Sequence, residues 1–213
     1  MGLKKCCPKK FCFKYAFLGQ SPRDAQIIEF AARHKFVTAQ QIADYTDMNL
    51  KTAYRRLKKL VAAKYLYHER YFLQEPGIYY PSRKGLDAAG CSISPLRSVP
   101  LSVYHHDLQL VDLALIFYRQ DYQVKTEREL KAEVNKGIGQ VGKQDRLPDL
   151  VIMKAGETVA IELEIAKKSP DRHKKIINYY ARQRHYSQVW FYCKYESIKK
   201  RLEDLSDKVD HIK

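Results

Sequence analysis

The chain has 213 residues, 45% of them hydrophobic and 12% aromatic, enough for one large or two small domains with a packed core. It carries 39 Lys and Arg against 24 Asp and Glu, a formal charge of +15, and the first 100 residues hold 18 of the basic but only 7 of the acidic side chains. That asymmetry points to a polyanionic partner gripped mainly by the first half. No apolar run nears the roughly 18–20 residues of a membrane span. The basic start MGLKKCCPKKFCFKYAFLG lacks the apolar stretch and cleavage site of a secretory signal, so a soluble cytoplasmic protein is expected. Cys6, Cys7, Cys12, Cys91 and Cys193 show no zinc-ligand spacing and read as free thiols in a reducing compartment.

Residues 1–20 form a basic N-terminal segment. Ser21-Pro22-Arg23-Asp24 then opens a helix, with Ser21 as cap and Pro22 in the first turn, and Ile27, Ile28, Phe30, Ala31 and His34 follow at helical spacing. A short helix over 39–45 is capped by Thr38, and Thr46-Asp47-Met48 turns the chain. The helix from Asn49 carries an apolar stripe of Leu50, Ala53, Tyr54, Leu57, Leu60 and Val61. Its other face presents Lys51, Thr52, Arg55, Arg56, Lys58 and Lys59. Tyr65-Leu66-Tyr67 and Ile78-Tyr79-Tyr80-Pro81 read as two strands joined by a Gln74-Glu75-Pro76-Gly77 turn, and a short helix starts near Ser82. Over residues 21–90 of a first domain expected to span 21–95, this pattern, including the phrase YYPSRKG, resembles the winged helix-turn-helix domains of bacterial regulators. The resemblance implies that the cationic helix face enters a DNA major groove while Arg70, Arg83 and Lys84 of the wing meet phosphates.

The second unit is expected over 101–213. A long buried helix covers Val103 to Tyr118, and Tyr122 to Arg128 reads as a strand. The following Gly137-Ile138-Gly139-Gln140-Val141-Gly142-Lys143-Gln144 satisfies two nucleotide-loop patterns. It lacks their context: no apolar strand precedes it, Gln144 stands where a hydroxyl should reach magnesium, and Pro148 forbids a long helix after it. It reads as a Gly-rich connection whose Lys143, with Arg146, lies within reach of a DNA backbone. Strands at 148–153 and 158–165, a basic helix from Asp171 to about Arg184, a strand at 187–193 and a helix at 196–208 complete an αβββαβα order.

If Ala155-Gly156 is a two-residue hairpin loop, Lys154 faces Glu157, Met153 faces Thr158 and Asp149 faces Glu162. Alternation then puts Val159, Ile161, Leu163 and Ile165 on one face, and Ala160, Glu162 and Glu164 on the other. Asp149, Glu162 and Glu164 should converge on one patch. Three carboxylates that close repel one another unless a hard cation, Mg2+ or Mn2+, neutralises them.

The Pro148-Asp149 pair, twelve residues, then Glu162-Leu163-Glu164 resembles the PD-(D/E)XK nuclease core, a restriction-endonuclease-like αβββαβ fold. More narrowly, a winged helix followed by HHDLQLVDLAL, TERELK, LPDLVI and VAIELEIA resembles the plasmid replication-relaxation family, which includes the MobC-type relaxases. The resemblance spans roughly 21–205. It implies Asp149 and Glu162, with Glu164, as metal ligands, and His106 and Glu127 as further site residues from the family's upstream phrases. Glu164 stands where most such nucleases have a lysine, which leaves the general base to Glu164 itself or to Lys168. Lys167, Lys168, Arg172, Lys174 and Lys175 would steady the DNA backbone. The implied activity is metal-assisted nicking of duplex DNA at a plasmid or mobile-element origin, with a homodimer or accessory mobilization proteins as further partners. His105 and His106 are adjacent, unlike the HxH metal triad of tyrosine relaxases, and among 16 tyrosines no nucleophile stands out, Tyr179, Tyr180, Tyr186 and Tyr192 being nearest the carboxylates. The alternative is a non-catalytic DNA-binding replication or transcription regulator with a degenerate nuclease fold.

Overall fold

A computed structural model describes residues 21–137, 146–166, 168–183, 185–207 and 209–213. The N-terminal cysteines, most of the Gly-rich connection, Lys167 and Arg184 therefore lie outside the described residues. Helix α1 (Pro22–Arg33) starts where expected: the Ser21 and Asp24 side chains each bond the other's backbone N–H, and Pro22 fills the first turn. Strand β1 (Val37–Thr38) leads into α2 (Ala39–Thr46) through a second capping box, Thr38 with Gln41. Asp47, left-handed at φ 52, turns the chain into α3 (Leu50–Ala62). Strands β2 (Leu66–Glu69) and β3 (Ile78–Pro81) pair antiparallel, and β1 pairs with the far edge of β3, giving the order β1-β3-β2 of a winged helix.

The glycine of YYPSRKG has a steric cause. Helix α4 (Arg83–Ala88) begins so close to β2 that a Cβ on Gly85 would stand 2.1 Å from the Tyr65 carbonyl oxygen.

The second half begins with α5 (Tyr104–Arg119), which is apolar on two faces. Val111 and Leu115 join the winged-helix core of Ile27, Ile28, Phe30, Ile42 and Leu57. Leu110, Leu113, Ala114 and Phe117 cover a sheet made of β4 (Gln123–Thr126), β5 (Leu150–Lys154), β6 (Glu157–Glu164) and β7 (Gln188–Cys193), in that order. The first three strands are antiparallel, while β7 runs parallel to β6 after the crossover helix α7 (Pro170–Ala181). Helices α7 and α8 (Glu196–Ser206) close the other face over Val151, Ala160 and Val189. The mixed α/β class expected of the sequence is the class observed.

Beyond shifts of a few residues at element ends, two features differ from the sequence reading. The strand expected to run to Arg128 stops at Thr126, because a third capping box, Thr126 with Glu129, starts an additional helix, α6 (Glu127–Asn135). Its residues are mostly charged and only Leu130 is buried, so it carries too little apolar periodicity to announce itself. On α3, Leu50 and Tyr54 are not core residues. They are 36% and 48% exposed, and only Ala53, Leu57 and Leu60 are buried.

The hairpin register is as read, with Lys154 opposite Glu157, Met153 opposite Thr158 and Leu150 opposite Ile161. Ala155 (φ 52) and Gly156 (φ 87) are both left-handed, as a two-residue turn of this hand requires. Alanine adopts that conformation at a cost, and asparagine tolerates it better. Ala155→Asn should therefore stabilise the chain by about 1 kcal/mol, read as a higher urea midpoint at unchanged slope.

Candidate active site and nucleic-acid interface

Strand β6 outlasts β5. Pairing ends at Leu150 and Ile161, so Glu162, Leu163 and Glu164 run on without a β5 partner. Asp149 lies in a bend just before β5, off the pleat, and its Oδ2 accepts the Leu163 N–H at 2.8 Å. A strand-end donor that would otherwise be unpaired is thereby satisfied. The bend also turns Asp149 toward α5, where His106 Nε2 stands 3.4 Å from its Oδ2 and 3.1 Å from the Leu163 carbonyl oxygen.

Glu162 and Glu164 are buried against Tyr180 and His173 of α7, each 1% exposed. Arg146 meets Glu162 with two donors, Nη2 to Oε2 at 2.7 Å and Nε to Oε1 at 3.2 Å, and the Tyr180 hydroxyl donates to Oε1. Burial, then repulsion from Asp149, raise the Glu162 carboxyl above its ordinary pKa against the pull of Arg146 and Tyr180. Asp149 goes down: burial pushes it up, but the bond and charge of His106, the Leu163 N–H and the charge of Lys168 outweigh that. The charge of Asp149 thus acts on Glu162, although the strand pairing expected to set them face to face stops one residue short of them.

Glu164 is held by Lys168, Nζ to Oε1 at 2.5 Å. Its Oε2 is buried without a hydrogen-bond partner, 4.0 Å from Nε2 of the fully buried His173. Lys168 reaches in from the connection to α7, beyond the end of β6 at Glu164, and its charge also acts on Asp149. Each carboxylate accordingly has a cationic neighbour of the protein's own. Among the described residues no three His, Cys, Asp or Glu side chains are gathered as a ligand set. The donor set nonetheless fits one hard cation in kind: acidic oxygens on adjoining segments, one of them buried and unpartnered.

Glu127, expected beside these groups, lies at the start of α6. Its backbone N–H bonds the Asp149 carbonyl at 3.2 Å, but its side chain turns to Lys35 at 3.3 Å. It belongs to the junction between the halves. There Lys35 also bonds both oxygens of buried Asp107 at 3.0 and 3.1 Å, Arg33 meets Glu129 at 3.0 Å, and Gln41 donates to the Leu108 carbonyl at 2.9 Å.

On the winged helix, Lys51, Arg55, Lys58 and Lys59 stand exposed on the outer face of α3, with Thr52 half-buried at its start. Arg56 does not join them. It bonds Asp24 at 2.6 Å and the Ser21 hydroxyl at 2.8 Å, tying α3 to the start of α1. Arg83 is exposed, and so is Arg172 at the start of α7. Arg70 is exposed on the wing with Nε on the Glu75 carbonyl at 2.9 Å, and Lys84 lies over the Tyr65 ring with Nζ on the Ala63 carbonyl at 3.0 Å.

Sequence reasoning missed His173, named Tyr180 only as one of four nearby tyrosines, and gave Arg146 only a DNA-backbone role. The signal existed for two of them: His173, Ile176, Ile177 and Tyr180 share one buried helical face at i, i+3, i+4, i+7 spacing. The chain matches no known family model and no curated protein. What fold and site define is a mixed α/β protein, a winged helix joined to a four-stranded α/β/α half with an acidic cluster at the sheet edge. Among the described residues no helix is long and apolar enough to cross a membrane.

Proposed function

We propose that the chain is a DNA-binding phosphodiesterase that nicks duplex DNA with the help of a divalent cation, at a plasmid or mobile-element origin. The observation that carries the reading is the acidic cluster at the end of the hairpin, where Asp149 accepts the N–H of Leu163, the residue between buried Glu162 and Glu164, and Lys168 bonds Glu164. Asp149 and Glu162 would hold Mg2+ or Mn2+, with the free oxygen of Glu164 beside them. Such an ion polarises a phosphate and lowers the pKa of bound water.

The protein's own groups prepare that site. His106 fixes Asp149 and keeps it ionised, Tyr180 orients Glu162, and Arg146, once relieved of Glu162, is a guanidinium suited to a backbone phosphate. Lys168 supplies the cationic side chain that most nucleases of the resembled type carry at the position of Glu164. The exposed cations of α3 hold the duplex alongside.

Incubating supercoiled DNA bearing the bound site with the protein should yield open circles with Mg2+ and none with EDTA or with Glu162→Gln. Linear product would indicate a double-strand cutter instead. A second reading, a DNA-binding regulator without catalysis, draws on the cation already paired with each carboxylate. It requires tight duplex binding and no nicking under any metal condition.

A further inference from the structure

The apolar arc of α3 extends beyond the core it serves. Ala53, Leu57 and Leu60 are 0–4% exposed and account for the packing, yet Leu50 and Tyr54, one turn apart, stand 36% and 48% exposed. They flank the exposed Lys51, Arg55 and Lys58 on the same helix. On the other flank Arg56 is withdrawn into its pair with Asp24, so the outward face is asymmetric: cations in the middle, an apolar strip along one border. Burial, then the neighbouring Tyr54, raise the pKa of the Tyr79 phenol in the wing sheet.

An apolar strip bordered by cations at the start of such a helix has one chemical counterpart in duplex DNA. The phosphates answer the cations, and the C5-methyl of thymine is the apolar group that a major groove exposes. A protein partner would have to bury Lys51, Arg55 and Lys58 together with Leu50 and Tyr54, and the charge of this half argues for the polyanion. We infer that Leu50 and Tyr54 are specificity-determining residues that read thymine methyl groups in the major groove. This rests on the DNA-binding part of the proposed function and is independent of cleavage.

The test starts from a duplex that the full chain selects out of a random pool, with affinity read by fluorescence anisotropy. Each thymine is replaced in turn by uracil, which removes only the methyl group. At one or two positions uracil should weaken binding about four-fold, the worth of one buried methyl-sized group. Leu50→Ala or Tyr54→Ala should abolish that penalty at its own position while the variant, altered at an exposed site, keeps its circular dichroism and thermal midpoint. A selected duplex that tolerates uracil everywhere, or a penalty that survives both substitutions, overturns the inference and leaves DNA binding standing. Selection that enriches no duplex overturns both, and dimerisation lost in Leu50→Ala and Tyr54→Ala would reassign the strip to a second copy of the chain.

Discussion

Replacing Arg146 by alanine should cost about 3–5 kcal/mol of stability at pH 8, because it strips the guanidinium from a carboxylate buried in the protein. Glu162 is 1% exposed, and Arg146 supplies both of its charged bonds. Burial and Asp149 already raise the Glu162 carboxyl above its unfolded value. Removing Arg146 raises it further. A carboxyl whose folded pKa is raised costs nothing below the unfolded pKa of roughly 4.3, and its penalty becomes complete once pH exceeds the folded pKa. The deficit of Arg146→Ala should therefore be small near pH 5 and widen toward pH 8 in urea unfolding.

Two controls separate causes. Glu162→Gln in the Arg146→Ala background should restore most of the loss, because a neutral amide needs no counter-charge. Millimolar Mg2+ should raise the thermal midpoint of Arg146→Ala more than that of the double variant, since a cation at Glu162 replaces the missing charge. A deficit independent of pH and of Glu162 would show that Arg146 acts only through packing.

How much was legible in the sequence depends on how local the cause is. Helix starts at Ser21, Thr38 and Asn49 were readable because a capping residue acts within three positions of its own. The hairpin register was readable because Ala155-Gly156 sits between alternating strands, and that register holds from Lys154 opposite Glu157 to Leu150 opposite Ile161. Long-range partners were not readable. Arg56 looks like one more outward cation until Asp24, remote in sequence, is found beside it. The two apolar faces of α5 show in the sequence only as one broad stripe, because periodicity says that a residue is buried and not against what. Asp149 stands outside the strand ladder, where its carboxylate accepts the Leu163 N–H beyond the end of β5, a demand that arises only when strands of unequal length pair. The candidate site thus formed where the regular pattern stops.

His106 should be an imidazolium through the whole neutral range. Burial lowers its pKa, but ion pairs with Asp107 and Asp149 overcome that and push it up to about 10. The groups that face it are Asp107 on its own helix at 3.6 Å, Asp149 before β5 at 3.4 Å and the Leu163 carbonyl of β6 at 3.1 Å. Beyond Asp107 stands the ammonium of Lys35, from the winged helix. With the folded pKa above the ordinary 6.5, the stability His106 contributes is complete below pH 6.5 and is lost as pH rises through about 10. Measured as the difference in unfolding free energy between the parent chain and His106→Gln, it should reach a few kcal/mol at pH 6.5 and shrink steadily toward pH 10. The subtraction removes the lysines and tyrosines that both chains titrate. A His106 ring-proton NMR titration should have its midpoint near 10, and Lys35→Met should move it upward by removing the positive charge that competes for Asp107. A midpoint near 6.5, with a flat difference between the chains, would mean that Asp149 is not held by an imidazolium and that the acidic cluster lacks the counter-charge assigned to it.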